Sequence, residues 1–280
     1  MWCDAHAFPE RARIALEDGR IRIARKPVPV PRAVYVRGLH ADALMPEFDA
    51  DLRNRPRGLL AQMAEKRALL VSLLLLLETQ GARLVNGLEA NAQHGQKPYQ
   101  LELLRRAGLP VPEYLATNDA AAVRRFVKRQ PAAVYKPLAG GATVQRLTQA
   151  DLTDERLAAL ALAPVLFQEL VEGVSVRAYV VGGRVVAAAE IHSPELDYRR
   201  QEDAVTPTRL APAERAAALA AARACRMQFS GVDFIRGGAG AFRVLECNPS
   251  PMFAVFEDKT GLDVANPLAN LLLRGRFEDF

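Results

Sequence analysis

Three oxygen-bearing side chains stand near the end of the sequence: Asp233 in GVDFI, and Glu246 and Asn248 in LECNPSP. The stretch GVDFIRGGAGAFRVLECN (231–248) reads as a β-hairpin turning through its glycines. With Gly237 and Phe242 flanking the turn, Asp233 falls opposite Glu246. Side chains alternate along a strand, so Glu246 and Asn248 share a face and Cys247 takes the other. Two facing carboxylates repel unless a cation separates them. Magnesium takes few protein ligands and leaves sites open for phosphate oxygens, which suits this donor set; manganese is the alternative ion. A solvated strand end closed by a turn-forming Asn-Pro is the competing reading. Cys247 has no histidine near it in sequence and reads as a core thiol.

A second set of residues is cationic. Of 37 basic residues only six are lysines, so a lysine at a chemically apt position is informative. Lys136 ends the strand AAVYKPL and precedes Ala139-Gly140-Gly141, where bare backbone amides can close over a phosphate. Lys97 stands at the head of a helix, where a snorkelling surface lysine is the ordinary alternative. Arg177 sits in SVRAYVVGGRVVAAAEI (175–191), a hairpin around Gly182-Gly183. Symmetric pairing about that turn places Arg177 opposite Ala188 and diagonal to Glu190, so a plain cross-strand ion pair is an equal reading.

The elements that would hold these residues follow the same periodicities. RIRIAR (20–25) alternates as a strand, KPVPVP (26–31) reads as a linker or edge, and AVYVRGL (33–39) as a buried strand. Residues 58–80 are helical in pattern and stop at Gly81; their apolar run LLVSLLLLL (69–77) predicts a helix buried against a sheet. Asn118 or Asp119 caps the helix AAAVRRFVKRQ, and VLFQELVEG (165–173) is a strand ending in a polar bend. An alanine-rich helix covers about 213–228, and DVANPLANLLLRG closes the chain with another. The expected division is an N-terminal α/β unit over 1–95 and a larger unit over 96–280.

Composition narrows the functional class. At 280 residues, half apolar and a quarter charged, the chain has the balance of a soluble globular protein, and no apolar run approaches the ~20 residues that cross a bilayer. The N-terminal residues carry charges of both signs and no apolar stretch, unlike a secretory signal. Cys3, Cys225 and Cys247 have no paired spacing, which points to a reducing cytoplasm and away from disulfides or zinc. A net charge of +5 is spread among acids, with few aromatics, so a nucleic-acid module is disfavoured; a positive site for an anionic small molecule fits better. Self-association is left open.

In their order along the chain these pieces resemble the ATP-grasp superfamily, and within it the RimK-type glutamate ligases and the peptide-modifying ligases of the microviridin kind. The resemblance rests on the Lys97-Pro-Tyr-Gln-Leu helix, GLPVPEYLATND, VYKPLAGGA, FQELVEG, SVRAYVVGGRVVAAAEI, GVDFI and LECNPSP with FEDKTGLDVANPL, over roughly 96–275. It implies an α/β (α+β) fold of the ATP-grasp type with a smaller N-terminal α/β pre-ATP-grasp domain over 1–95 and an ATP-grasp domain over 96–280 that includes a lid subdomain at about 115–172. Lys97 and Lys136 would contact nucleotide phosphates, and Gln168, Glu169, Leu170 and Val171 would form the adenine hinge. Asp233, Glu246 and Asn248 would hold magnesium, Arg177 would stabilise the transferring phosphoryl group, and Arg199 would lie in the substrate cleft. Ser175 stands where the family often has an acid for the ribose, which shifts that contact toward Glu172; Met252 follows NPSP where glycine is common.

The resemblance implies an ATP-dependent carboxylate–amine ligase working through an acyl phosphate, adding glutamate or another amino acid to a small-molecule or peptide acceptor. A ligase that forms lactam or ester crosslinks in a peptide, a kinase, and an ATP-binding regulator without turnover are its rivals.

Overall fold

The computed structural model describes residues 8, 12–38, 48–139, 143–193 and 204–280, and the chain falls into two units, 1–85 and 86–280. In the first unit β1 (Ile14–Glu17), β2 (Arg20–Ile23) and β3 (Lys26–Pro27) form an antiparallel sheet in that order. The RIRI alternation makes β2, while the prolines after Lys26 end the ladder at a two-residue edge strand. β4 (Ala33–Tyr35) runs parallel to β5 (Arg83–Val85), with α1 (Asp49–Asn54) and α2 (Pro56–Thr79) between them in sequence. Pro56 opens α2 where its missing N–H is no loss. The apolar run of α2 does lie against a sheet: Leu73 and Leu77 are buried with Ile21, beside Ile14, Leu16 and Ile23.

In the second unit α3 (Leu88–Ala92) and α4 (Lys97–Arg106) precede a four-stranded sheet. Its strands are β6 (Tyr114–Thr117), β7 (Ala133–Pro137), β8 (Gln145–Arg146) and β9 (Val165–Glu169), in the order β6-β9-β7-β8. α5 (Ala120–Arg129), capped by Asp119 through a 2.8 Å bond from the Ala121 N–H, and α6 (Asp154–Ala158) cover one face. Val123, Phe126, Leu157, Leu160, Ala133 and Phe167 form the core between them. Residues 86–95, expected on the N-terminal side, group with this unit. The Asn86 amide donates to the Phe229 and Pro249 carbonyls at 2.7 and 2.6 Å and accepts from the Phe229 N–H at 3.0 Å.

The larger sheet comprises β10 (Val174–Val181), β11 (Arg184–His192), β12 (Ala204–Pro207), β13 (Phe229–Arg236) and β14 (Phe242–Asn248), ordered β12-β11-β10-β13-β14. The alanine-rich α7 (Pro212–Ala224) buries Ala217, Ala218, Ala221 and Ala222 against Val176, Ala178, Val180, Val232, Phe234 and Val244. The alternate residues, Ser175, Arg177, Tyr179 and Asp233, therefore carry the opposite face. α8 (Ala254–Thr260) and α9 (Ala265–Arg274) complete the unit. Cys225 and Cys247 are buried free thiols, and among the described residues no helix is long and apolar enough to cross a membrane.

Two registers differ from simple symmetric pairing. The β10–β11 hairpin turns on Gly182-Gly183, both at positive φ, but a bulge at Tyr179/Val180 sets Arg177 opposite Ala189 and Val176 opposite Glu190. Glu190 thus sits on the α7 face and pairs with Arg236, not with Arg177. In β13–β14, Arg236 pairs with Phe242, and a bulge at Asp233/Phe234 restores Asp233 opposite Glu246.

Candidate active site

Asp233 on β13 and Glu246 on the neighbouring β14 are cross-strand partners, and Asn248 lies opposite Gly231 two residues further along the same face. The side chains of Asp233 and Glu246 are 11% and 31% exposed, so two like charges face each other with little water around one of them. Each is met by a cation from another element. On β10, directly opposite Asp233, Arg177 donates through Nε to Oδ1 and through Nη2 to Oδ2, both at 2.6 Å. Lys97, the first residue of α4, donates to Glu246 Oε2 at 2.7 Å.

Lys136 joins them from the other sheet. It shares a face of β7 and β9 with Gln168, because Lys136 pairs with Leu166 and Val134 with Gln168. The opposite face carries the α5–α6 core, so the Lys136 face is left to look toward α4 and the large sheet; Tyr114, paired with Gln168, has its hydroxyl 3.5 Å from the Pro98 carbonyl. Burial alone would raise the Glu246 carboxyl. The charges of Lys97 and Lys136, with the Lys97 hydrogen bond, outweigh it and hold the group at about 2. For Asp233 burial dominates and pushes the carboxyl up against the pull of Arg177.

The segment 168–171 is tied down by its backbone. Glu169 N–H donates to the Glu113 carbonyl at 2.8 Å and Leu170 N–H to the Ala132 carbonyl at 3.0 Å. The Glu169 carboxylate accepts from the Glu113 N–H at 3.1 Å, so that side chain is engaged in the connection itself. Gln168 is 3% exposed and its Nε2 has no partner among the described residues, a buried donor aimed from the Lys136 face. Val171 is partly buried beyond the end of β9. Ser175 lies on the Arg177 face of β10, opposite Ile235.

Of the residues singled out in the sequence, Lys97, Lys136, Arg177, Asp233 and Glu246 thus converge. The Asn248 Oδ1 accepts from the Ser250 N–H at 3.0 Å, closing a turn at the end of the same face. Arg199 and the Gly140-Gly141 bend lie outside the described residues. Cys247 behaves as a core thiol: its hydrogen bond with the Cys225 thiol and its burial push it well above its ordinary value. Two supporting residues carried no obvious sequence mark. Buried Gln100 on α4 bonds both the N–H and the carbonyl of Cys247, at 2.9 and 2.8 Å. Gly231 gives room to Pro251: a Cβ there would stand 2.8 Å from the proline Cβ and 3.7 Å from Arg177 Nε.

The donor set suits a nucleotide with a hard cation. Among the described residues no cluster of three or more His, Cys, Asp or Glu side chains is built to hold a metal. Two carboxylates and an amide oxygen are what magnesium takes when water and phosphate oxygens fill its remaining sites. Lys97 occupies one Glu246 oxygen, and each carboxylate oxygen has two lone pairs, so the ion pairs leave acceptor capacity.

Comparison with known proteins places the chain beside ATP-grasp ligases. Residues 95–272 match the RimK-like ATP-grasp domain. A probable alpha-L-glutamate ligase 2 of Shewanella amazonensis is 35% identical over 116 residues, 39% of this chain and 38% of that protein. A probable alpha-L-glutamate ligase of Legionella pneumophila is 28% identical over 249 residues, 82% of this chain and 75% of that one. Among solved structures, the ATP-grasp ligase PsnB complexed with a phosphomimetic variant of its minimal precursor, Mg and ADP superposes with a TM-score of 0.88 at 36% identity, covering 97% of this chain and 88% of that one.

Proposed function

This chain belongs to the RimK-like ATP-grasp family of ligases, and we propose that it uses ATP to activate a carboxylate of a peptide substrate and join it to an amine or hydroxyl. The observation that carries the reading is one pair: Asp233 and Glu246 face each other across two strands, each under a cation brought by a different element. The peptide substrate is taken from PsnB, the relative bound to a precursor and similar along nearly the whole chain.

In this reading Lys97 and Lys136 bind the phosphates, and Arg177 faces the transferring phosphoryl group. The Gln168–Val171 segment takes the adenine, with the unpartnered Gln168 Nε2 as a donor to the base. Asp233, Glu246 and Asn248 would hold magnesium or manganese, which when bound supplies charge neutralisation for the phosphate oxygens. Ser175 or Glu172 meets the ribose, and Arg199 the substrate. The substrate carboxylate attacks the terminal phosphorus and ADP leaves, giving an acyl phosphate. The acceptor nucleophile attacks the acyl carbon, phosphate departs, and the nucleophile's proton passes to solvent. Phosphoryl transfer asks the protein mainly for positioning and charge, which these residues offer. The expected compartment is the cytoplasm, where Cys225 and Cys247 stay reduced.

A second reading is addition of free glutamate to an acceptor, favoured by the Legionella relative named for that activity. One assay separates the two: ADP release with peptides or with free glutamate, followed by mass spectrometry. A peptide product lighter by one water supports the first reading, and a product heavier by a glutamyl residue supports the second. Release of ADP with a phosphorylated product and no condensation would overturn both in favour of a kinase.

A further inference from the structure

We infer that Gln100 is a positioning residue that sets the phosphate-facing Lys97 against the metal-facing strand β14. The inference rests on the nucleotide and metal roles proposed above. Gln100 is 3% exposed and lies one turn after Lys97 on α4, on the same side of the helix. Its Nε2 donates to the Cys247 carbonyl at 2.8 Å and its Oε1 accepts from the Cys247 N–H at 2.9 Å. This is the pair of bonds that a further strand would make, and β14 is the last strand of its sheet.

Cys247 is the residue between Glu246 and Asn248, so the clamp closes at the centre of the metal-facing segment. On one side the same edge is tied by other means, as Val244 N–H donates to the Pro110 carbonyl at 2.8 Å; past the end of the strand, Asn86 joins the Pro249 carbonyl, at 2.6 Å, to Phe229 of β13. A one-residue slip of β14 would carry Glu246 to the α7 face, and the Gln100 bonds oppose it. They also set the position of α4 along the strand, and with it the 2.7 Å approach of Lys97 to Glu246. A buried, polar edge replaced by an apolar side chain leaves both Cys247 groups unpaired, a heavy penalty that the site relieves by moving α4 off the strand.

The test is a double-mutant cycle of Gln100→Leu and Lys97→Ala, read by calorimetric binding of MgADP and by KM and kcat for ATP. Gln100→Leu alone should weaken MgADP about tenfold and raise KM more than it lowers kcat. In the Lys97→Ala background the same change should cost less than about twofold, because its effect passes through Lys97. Equal factors in both backgrounds, or unchanged affinity in Gln100→Leu, would overturn the inference. If Lys97→Ala itself leaves MgADP binding intact, the phosphate assignment fails, which is a different result. Should Gln100→Leu not fold, Gln100→Glu, which keeps the acceptor for the Cys247 N–H and loses the donor, is carried through the same cycle against the same outcomes.

Discussion

The guanidinium of Arg177 and the carboxylate of Asp233 meet as a two-pronged ion pair across adjacent strands, with both contacts at 2.6 Å. Their side chains are 15% and 11% exposed, whereas Glu246 in the neighbouring pair with Lys97 is 31% exposed. The two carboxylates should therefore respond differently to neutralisation. Asp233→Asn removes the charged, two-pronged acceptor from a guanidinium that is 15% exposed and should lower stability by about 3 kcal/mol. Glu246→Gln removes the charge facing a lysine that is just as enclosed, at 15% exposure. Glu246 itself is the more open carboxylate, so water can take the place of the lost charge and the change should cost about 1 kcal/mol. ADP formation should fall at least about a hundredfold in both. Urea melts beside an ADP-release assay check this, and full activity in Glu246→Gln would remove the metal assignment.

Lys136 and Lys128 offer a matched comparison. Lys136 looks from β7 toward Glu246 and helps hold its carboxyl down, while Lys128 is exposed on α5. Lys136→Ala should weaken MgADP binding about tenfold or more, and Lys128→Ala by less than about twofold. Calorimetric titration decides it, and equal effects would remove Lys136 from the phosphate site.

Gly231 is a test of fit rather than charge. The ring of Pro251 occupies the space where a side chain would start, and Arg177 Nε borders it. Gly231→Ala must push the Pro249–Pro251 segment away from β13, moving Asn248 with it. The expected result is a loss of roughly tenfold or more in kcat/KM for ATP with a small change in melting temperature. A variant with normal kinetics would show that the Asn248 end of the face tolerates displacement.

Much of this site could be read before any coordinates. The pairing of Asp233 with Glu246 follows from strand alternation around a glycine-rich turn. It survives because the bulge at Asp233/Phe234 offsets a turn whose flanking pair is Arg236 and Phe242 in place of Gly237 and Phe242. The same counting misplaces Arg177 by one residue, since the bulge at Tyr179/Val180 leaves no mark in a run of small and β-branched residues. The error hid two facts: Glu190 belongs to the α7 face with Arg236, and the true partner of Arg177 is Asp233. Gln100 and Asn86 were illegible for another reason. A buried amide that bonds backbone groups far away in sequence has no period of its own, and only the fold shows what it holds. Lys97, by contrast, was marked by its rarity in a chain that prefers arginine.

The last prediction concerns the side of the sheet away from the chemistry. Glu214, 5% exposed at the start of α7, accepts from Arg236 at 2.6 and 2.8 Å and from the Ala211 N–H at 2.9 Å. The hydrogen bonds from Arg236 outweigh burial and hold its carboxyl below the ordinary 4.5, with the Ala211 N–H and the Arg236 charge adding to them. A carboxyl depressed in the folded state stabilises the fold fully above its unfolded value. That contribution is lost as the pH falls through 4.5 toward the folded value. Glu214→Gln should therefore be less stable by about 2 kcal/mol at about pH 7, and its stability should fall less steeply than the parent's on the acid side of 4.5. Urea midpoints measured from about pH 7 down to about pH 3 give both curves. If the two run parallel through that window, Glu214 titrates alike folded and unfolded, and the Arg236 pair contributes nothing to the attachment of α7.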